Sequence, residues 1–430
     1  MIESPPKIDK KLYNKVLISQ VPDDINSLVE SINAGYEYWD KVKYKPLPGG
    51  YTPQMLWTCV KAERQKNMMT VWNKYKVNLC ITSQMQRLCY EFDKMFENFW
   101  SSDNEIQTIE KKNYLISSLM EEAIYSSQME GASTTRIVAK EMLRKKKSPQ
   151  NKSQQMIVNN YNTIQYITQH RNDPLTEEGL LNVHKLMTEK TLDDPDNAGK
   201  FRMNDDVVVV VADITENEVV YTPPSYKEIP EFVNTLCEMF NNDNYPQTFI
   251  HPIIKGIIIH FMLAFMHPFA DGNGRTARAL FYWYMLKENY WLTEYMSISR
   301  VIAKSKKSYE KTFRYCENDG NDIGYFVMYN LKTLKTSFQQ LNDYIQRKQQ
   351  QKKSAKTFML KGNINRRQAM ILQRLTEEPD EVITVKDIQD LFSVSSMTAR
   401  KDLTDLVAQG YLTEFAINKV TRGYIKKQEE

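Results

Sequence analysis

Along most of the chain, apolar residues recur three and four apart, the spacing of one helix face. Two such stretches, Pro53 to Lys76 and Thr82 to Trp100, follow a segment from Tyr36 to Tyr51 whose Pro46, Pro48, Gly49 and Gly50 read as loop. Ser102 and Asp103 can cap a helix that runs to about Met129 and breaks at Gly131, a residue suited to the left-handed position after a helix end. A helix from about Thr135 to Lys147 then ends in a basic run. Helical patterns return over 151–170, 176–191, 226–242, 251–266, 275–288, 307–317 and 320–346. They are interrupted once. An unbroken run, Val207, Val208, Val209, Val210 and Val211, is followed by Asn217 to Tyr221 with Val219 and Val220, and Pro223 and Pro224 close it. That pattern predicts a β-hairpin. Residues 347–363 begin RKQQQKKSAKTF and read as a polar, basic linker.

The predicted fold is mostly α. Its parts are an N-terminal helical extension (1–100), a helical region (101–150), a core with one hairpin (151–346), the linker (347–363) and a compact C-terminal segment (364–430).

Composition changes this picture little. The 430 residues are 41% hydrophobic and 26% charged, with a net charge of +4, which neither demands nor forbids a nucleic-acid partner. The five cysteines Cys59, Cys80, Cys89, Cys237 and Cys316 show no C-x-x-C spacing and read as free thiols of a reducing compartment. The N-terminus lacks an apolar signal segment. The most apolar run, Ile253 to Phe265, contains Lys255, Gly256 and His260 and is too short to cross a bilayer. A cytoplasmic protein without a membrane partner is expected.

Candidate chemistry is concentrated between two apolar helices, in His267-Pro268-Phe269-Ala270-Asp271-Gly272-Asn273-Gly274-Arg275-Thr276-Ala277-Arg278. Gly272 and Gly274 allow main-chain N–H groups to converge on an anion. The helix starting near Arg275 adds free N–H groups and its positive dipole end. Arg275 and Arg278, three apart, emerge on one face and suit phosphate oxygens. Asp271 offers a hard oxygen to Mg2+ shared with phosphates, and His267 suits a general base near neutrality. These groups make an inventory for phosphoryl or nucleotidyl transfer.

The segment matches the pattern H-x-F-x-[DE]-G-N-G-R-x-x-R and resembles the motif of the Fic family; the resemblance covers about residues 100–340. Gly199-Lys200-Phe201-Arg202 resembles the family's G-x-[FY]-R segment, and the hairpin 206–221 with Thr222-Pro223-Pro224 resembles its flap. The resemblance implies a protein AMP-transferase that uses ATP and Mg2+. His267 would deprotonate a Tyr, Thr or Ser hydroxyl of a target, which then attacks the α-phosphate. Asp271 would hold Mg2+. Gly272, Asn273 and Gly274 would bind phosphates, with Asn273 near the α-phosphate. Arg275 and Arg278 would take the outer phosphates, Phe269 would be a buried anchor, and the flap would hold the target as an added strand. Glycine at 274, where kinases of the superfamily carry lysine, favours AMP transfer.

Upstream, Ser126-Ser127-Gln128-Met129-Glu130-Gly131 resembles the family's inhibitory motif [ST]-x-x-x-E-[GN]. Glu130 would then pair with Arg278 in the place of the γ-phosphate, and the same glutamate would support AMP removal. The C-terminal segment resembles a winged helix-turn-helix, with helices over Arg366 to Glu377, Thr384 to Phe392 and Ser396 to Gln409 and two β-runs ending at Tyr424. Ser396, Thr398, Arg400 and Lys401 are its candidates for a DNA surface, although acidic and basic residues there roughly balance and such domains also dimerise. The alternatives carried forward are a DNA-binding regulator whose Fic domain senses nucleotide and an enzyme that mainly removes AMP. The target protein is not legible; self-modification and a homodimer are both compatible with the sequence.

Overall fold

The structure is a computed structural model that describes residues 2–98, 108–206, 209–212, 217–361, 364–377, 381–416 and 421–427. It divides into two compact units, Met1–Gln339 and Gln340–Glu430. The valines Val207 and Val208 and the capping pair Ser102 and Asp103 lie outside the described residues.

The N-terminal extension contains α1 (Lys10–Ile18), α2 (Asp23–Gly35), the short α3 (Trp39–Val42), α4 (Pro53–Lys66), β1 (Met68–Trp72), β2 (Val77–Cys80) and α5 (Ser83–Asn98). Thr52 caps α4 by accepting the Met55 N–H, and Pro53 supplies its first turn. The helix expected through Lys76 therefore starts as predicted but stops at Lys66. The rest is an antiparallel hairpin that pairs Met68 with Cys80 and Thr70 with Asn78 and turns at Lys76, whose φ is 48°. The β-forming sequence Met-Met-Thr-Val-Trp outweighs a helical spacing that this strand shares by coincidence.

One buried cation ties this extension to the rest of the first unit. Arg64 is 1% exposed. It donates to Asn33 Oδ1 (2.8 Å), the Tyr325 hydroxyl (2.7 Å) and the Glu37 carbonyl (3.0 Å), and its guanidinium lies 4.1 Å from the Tyr36 ring centre. The Tyr36 hydroxyl donates to Asp322 (2.6 Å), which also pairs with Lys61 (3.1 Å). Gly324 makes room for this: a Cβ there would overlap the Tyr36 ring.

The remainder of the first unit is α6 (Thr108–Met129), α7 (Arg136–Arg144), α8 (Lys152–Gln169), α9 (Glu177–Thr188), the hairpin β3 (Val209–Ala212) and β4 (Asn217–Tyr221), α10 (Ile229–Asn241), α11 (Pro252–Met266), α12 (Asn273–Lys287), α13 (Ile298–Lys304), α14 (Lys306–Asn318) and the start of α15 (Gly324–Lys361). Gly131, at φ 94°, follows the end of α6 as expected. The hairpin pairs Val210 with Val219 and Val211 with Glu218, with an irregularity after Val209. α11 and α12 form the centre: apolar residues surround α11 on all sides, and it is buried from Ile253 to Ala264. Among the described residues no helix is long and apolar enough to cross a membrane.

The predicted linker is a correction. Residues 347–361 are helical, as part of α15. Gln, Lys, Arg and Ala are good helix formers, and neither Gly nor Pro interrupts them before Gly362.

The second unit contains α16 (Arg366–Glu377), α17 (Val385–Phe392), α18 (Ser396–Ala408) and an antiparallel β5 (Leu412–Ala416) and β6 (Arg422–Lys426). Thr384 and Asp387 form a reciprocal capping box at α17. Ile371, Leu375, Ile388, Ala399, Leu403 and Leu406 are fully buried and form its core. Ser396, Arg400 and Lys401 are exposed on α18, and Thr398 is half-buried.

Arg64→Ala should cost about 3–5 kcal/mol, because it leaves the buried acceptors of Asn33, Glu37 and Tyr325 without their donor and removes one of the two cations beside Asp322, whose Oδ2 lies 3.8 Å from Arg64 Nη1. Denaturant unfolding would measure it; an unchanged midpoint would remove Arg64 from this role.

Candidate active site

α11 ends where His267 adopts a left-handed backbone, φ 46° and ψ 59°, and the following Pro268 cannot continue a helix. The turn is held from outside by Arg202, which is 4% exposed. Its Nε donates to the His267 carbonyl (2.9 Å), Nη2 reaches the Met266 carbonyl (3.5 Å), and its main-chain N–H donates to the Pro268 carbonyl (2.9 Å). Nη1 also pairs with Asp205 at 2.8 Å.

Phe269 is fully buried and stacks on His184, ring centres 3.8 Å apart and planes 2° apart, with Phe201 on a neighbouring side at 5.4 Å. Asn273 clamps the loop: its Nδ2 donates to the Phe269 carbonyl (2.9 Å) and its Oδ1 accepts the Phe269 N–H (3.0 Å). The side chain of Asn273 is thus engaged with the loop, and its main chain is what opens the first turn of α12. Gly272 has φ 83°, and a Cβ there would lie 2.7 Å from Thr188 Cγ2.

His184, Met187 and Thr188 share one face of α9 and line this loop. The Gly199 N–H donates to His184 Nδ1 (3.0 Å), so the ring proton sits on Nε2, which donates to the Asp271 carbonyl (2.9 Å). Burial pushes the His184 pKa down to about 4, so the ring is neutral at physiological pH. The sequence did not mark His184, because its partners are main-chain atoms.

His267, the candidate base, is arranged similarly. His267 Nδ1 contacts the Ala264 carbonyl, which can only accept, so the proton is on Nδ1 and Nε2 keeps its lone pair. Burial holds the imidazole below its ordinary pKa; the Ala264 bond and Glu130 oppose that, and Arg202 adds to it. The result is a neutral base with its acceptor nitrogen free of the helix.

The two arginines of α12 diverge. Arg275 is 2% exposed and turns toward α9, where Nη1 donates to the Met187 carbonyl (3.3 Å) and Nη2 lies 3.5 Å from Asp271 Oδ2. Its Nε has no hydrogen-bond partner among the described residues, which leaves a buried donor for a ligand. Arg278 reaches back to α6: Nε donates to Ser126 Oγ, and Nη2 donates to the Ser126 carbonyl and to Glu130 Oε1, each at 2.9 Å. Burial raises the Glu130 carboxyl, but Arg278, Arg275 and Lys306 outweigh it and hold the group below its usual value. Glu130 rests on Gly274, where a Cβ would strike Oε1 and stand 3.3 Å from Arg278 Nη1. The helix N-terminus expected to receive phosphate is therefore covered by a carboxylate of the same chain.

Asp271 projects outward, its side chain 63% exposed. Its Oδ1 accepts the Gly272 N–H at 2.5 Å. Among the described residues no group of three His, Cys, Asp or Glu could enclose a metal. A single exposed carboxylate beside an anion cradle fits Mg2+, which commonly takes its other ligands from phosphates and water.

On the hairpin, the Tyr221 hydroxyl donates to the Phe265 carbonyl (2.7 Å), and its ring centre is 6.3 Å from that of His267. It anchors β4 to α11. Trp72 and Tyr75 from the β1–β2 turn also pack on Phe265, at 5.7 and 5.2 Å, so the N-terminal extension supports the base of the hairpin.

Residues 174–285 match the model of the Fic/DOC family, and residues 367–415 match that of the DeoR-like helix-turn-helix domain. The chain is 30% identical over 118 residues to protein adenylyltransferase fic-1 of Caenorhabditis elegans, covering 27% of this chain and 20% of the relative. To protein adenylyltransferase Fic of Aedes aegypti it is 28% identical over 122 residues, covering 28% and 21%. The matches thus span about a fifth of the length of these relatives. A Fic family protein from Desulfovibrio desulfuricans superposes with a TM-score of 0.52 at 18% identity, covering 81% of this chain and 98% of that one. Fic-1 from C. elegans gives 0.52 at 14% identity, covering 80% and 90%. The solved structures share the fold, and by the family models the chain carries a Fic/DOC family domain, followed by a C-terminal DeoR-like helix-turn-helix domain.

Proposed function

We propose that the protein transfers AMP from ATP to a hydroxyl of a protein target and that Glu130 restrains it. The observation that carries this reading is the Glu130–Arg278 pair at 2.9 Å, seated on Gly274 at the start of α12. A carboxylate is the natural stand-in for a phosphate at such a place. The curated relatives named protein adenylyltransferases support the reaction class.

In the proposed step His267 Nε2 takes the proton of the target hydroxyl. The oxygen forms a bond to the α-phosphorus, the bond from that phosphorus to the β-phosphate oxygen breaks, and pyrophosphate leaves. Arg278, once free of Glu130, and the unpartnered Nε of Arg275 bind phosphate oxygens, as do the first N–H groups of α12. Asp271 would hold Mg2+, which neutralises phosphate charge when bound. The hairpin and Tyr221 bound the side from which a target would approach. The DeoR-like domain makes DNA a candidate partner of the second unit, through Ser396, Arg400 and Lys401; a gel-shift on the full chain would test this.

Three outcomes follow for labelling with ATP and Mg2+. Glu130→Gly should raise self-labelling or target labelling about tenfold or more, since a shift of ~1.4 kcal/mol multiplies a small productive fraction by that factor. No gain would end the inhibitory reading. His267→Ala should lower the Glu130→Gly rate by ~10²–10⁴ without unfolding the chain; a retained rate would exclude His267 as the base. An NMR titration should find the His267 ring titrating below the ordinary imidazole range, with the proton of its neutral form on Nδ1, because burial favours the neutral form. The acid limb of activity should then lie below pH 6.5, and a limb at or above 6.5 would contradict the assigned environment.

A further inference from the structure

α6 is fixed by more than the residues of its inhibitory motif. Glu122, Ser126 and Met129 are four and three residues apart, so they lie along one face of the helix. Each meets a different element. Glu122 accepts the Ser299 N–H (2.9 Å) at the start of α13, the Ser299 hydroxyl, and the Ser297 hydroxyl (3.3 Å). Ser126 receives Arg278 of α12. The Met129 carbonyl receives Lys306 Nζ of α14 at 2.7 Å.

The Glu122 contact is built, not incidental. Ser297 precedes α13 but makes no side-chain cap of its own. Glu122, 175 and 177 residues away in sequence from Ser297 and Ser299, supplies the missing acceptor. Ser299 is 1% exposed, so its N–H and hydroxyl cannot turn to water if the carboxylate leaves. Burial raises the Glu122 carboxyl above its ordinary value, while Ser299, Arg278 and Ser297 act in the opposite direction. By contrast, Glu130 sits at the helix end with a third of its side chain open to solvent (34%). The contact to the buried Ser299 comes two turns before the exposed Glu130, along α6 and its end.

We propose that Glu122 is a positioning residue: its hold on Ser297 and Ser299 keeps α6 seated against α13 and so keeps Glu130 within reach of Arg278. This rests on the inhibitory reading of Glu130. In this arrangement the restraint does not depend on the Glu130–Arg278 pair alone. A partner or substitution that loosens α6 at Glu122 releases Arg278 for phosphate without touching the nucleotide site. The chemical class of such a release is the loss of a half-buried carboxylate's hydrogen bonds to two serines.

The test uses the full chain with Glu122→Ala, Glu122→Gln and Glu130→Gly, alone and as the Glu122→Ala/Glu130→Gly pair. The readouts are labelling with ATP and Mg2+ and amide hydrogen exchange over residues 115–130. Glu122→Ala should raise labelling about three- to tenfold and speed exchange in that helix. Glu122→Gln keeps an oxygen for the Ser299 N–H and should stay near the parent in both. The double variant should label no faster than Glu130→Gly, because the restraint is already gone. A merely structural role would instead lower labelling in the Glu130→Gly background. That result, or unchanged exchange in Glu122→Ala, overturns the proposal. Failure of Glu130→Gly to activate removes the inhibitory reading, while the exchange data still report on the seating of α6. If Glu122→Ala does not fold, Ser297→Ala/Ser299→Ala removes two of the three donors, and exchange unchanged from the parent would be equally decisive against the proposal.

Discussion

A guanidinium buried among helices cannot remain without partners, because its cost in a low-dielectric interior exceeds what the surrounding packing returns. Arg278 is 7% exposed and must be satisfied in every state the protein visits. In this structure two of its bonds go to Ser126 and one to Glu130. The Ser126 bonds orient the guanidinium plane, and the third position is filled by the Glu130 carboxylate, which under the proposed function competes there with a phosphate. Placement of α6, the packing of α12 behind it and the small residue at 274 all follow from having to fill that position.

The loop before α12 answers a different constraint, that of holding His267 and Asp271 on irregular backbone. Arg202, His184 and Asn273 each hydrogen-bond main-chain atoms of residues 266–273, while Arg202 also reaches Asp205 and the Asn204 and Pro224 carbonyls and His184 also receives the Gly199 N–H. Such bonds determine where carbonyls and N–H groups point, which side-chain packing alone does poorly. His184 works as a neutral strut, donating on one side and accepting on the other.

Much of this was legible because the motif is contiguous. His267, Asp271, Gly272 and Phe269 lie within six residues, and their roles depend on local backbone as much as on distant partners. The stop at Gly131 and the helix of Arg366 to Glu377 were readable for the same reason. What the sequence hid was direction and long-range pairing. Spacing places Arg275 and Arg278 on one helix face, but not that one turns to Met187 and the other to Ser126. Asn273 reads as a phosphate ligand, and spacing does not show that its side-chain amide is bonded to Phe269, leaving the main chain of α12's first turn for that role. His184 has no sequence signal, since a histidine in an amphipathic helix is ordinary. The β1–β2 hairpin and the helical stretch of 347–361 were misread where local propensity and apolar spacing point to different structures.

The bare Cα of Gly274 has a consequence for how such a restraint can change over generations. A side chain at this position would meet the glutamate and intrude on the space beside Arg278 at once. With Glu130 in place the receiving half of the site therefore has little freedom to drift: a side chain at 274 that displaces the carboxylate also crowds the space beside Arg278. Variation is confined to the donor half, α6 and the elements that carry it. Lineages can adjust how tightly Arg278 is held there, one contact at a time, while the surface of α12 beneath stays constant.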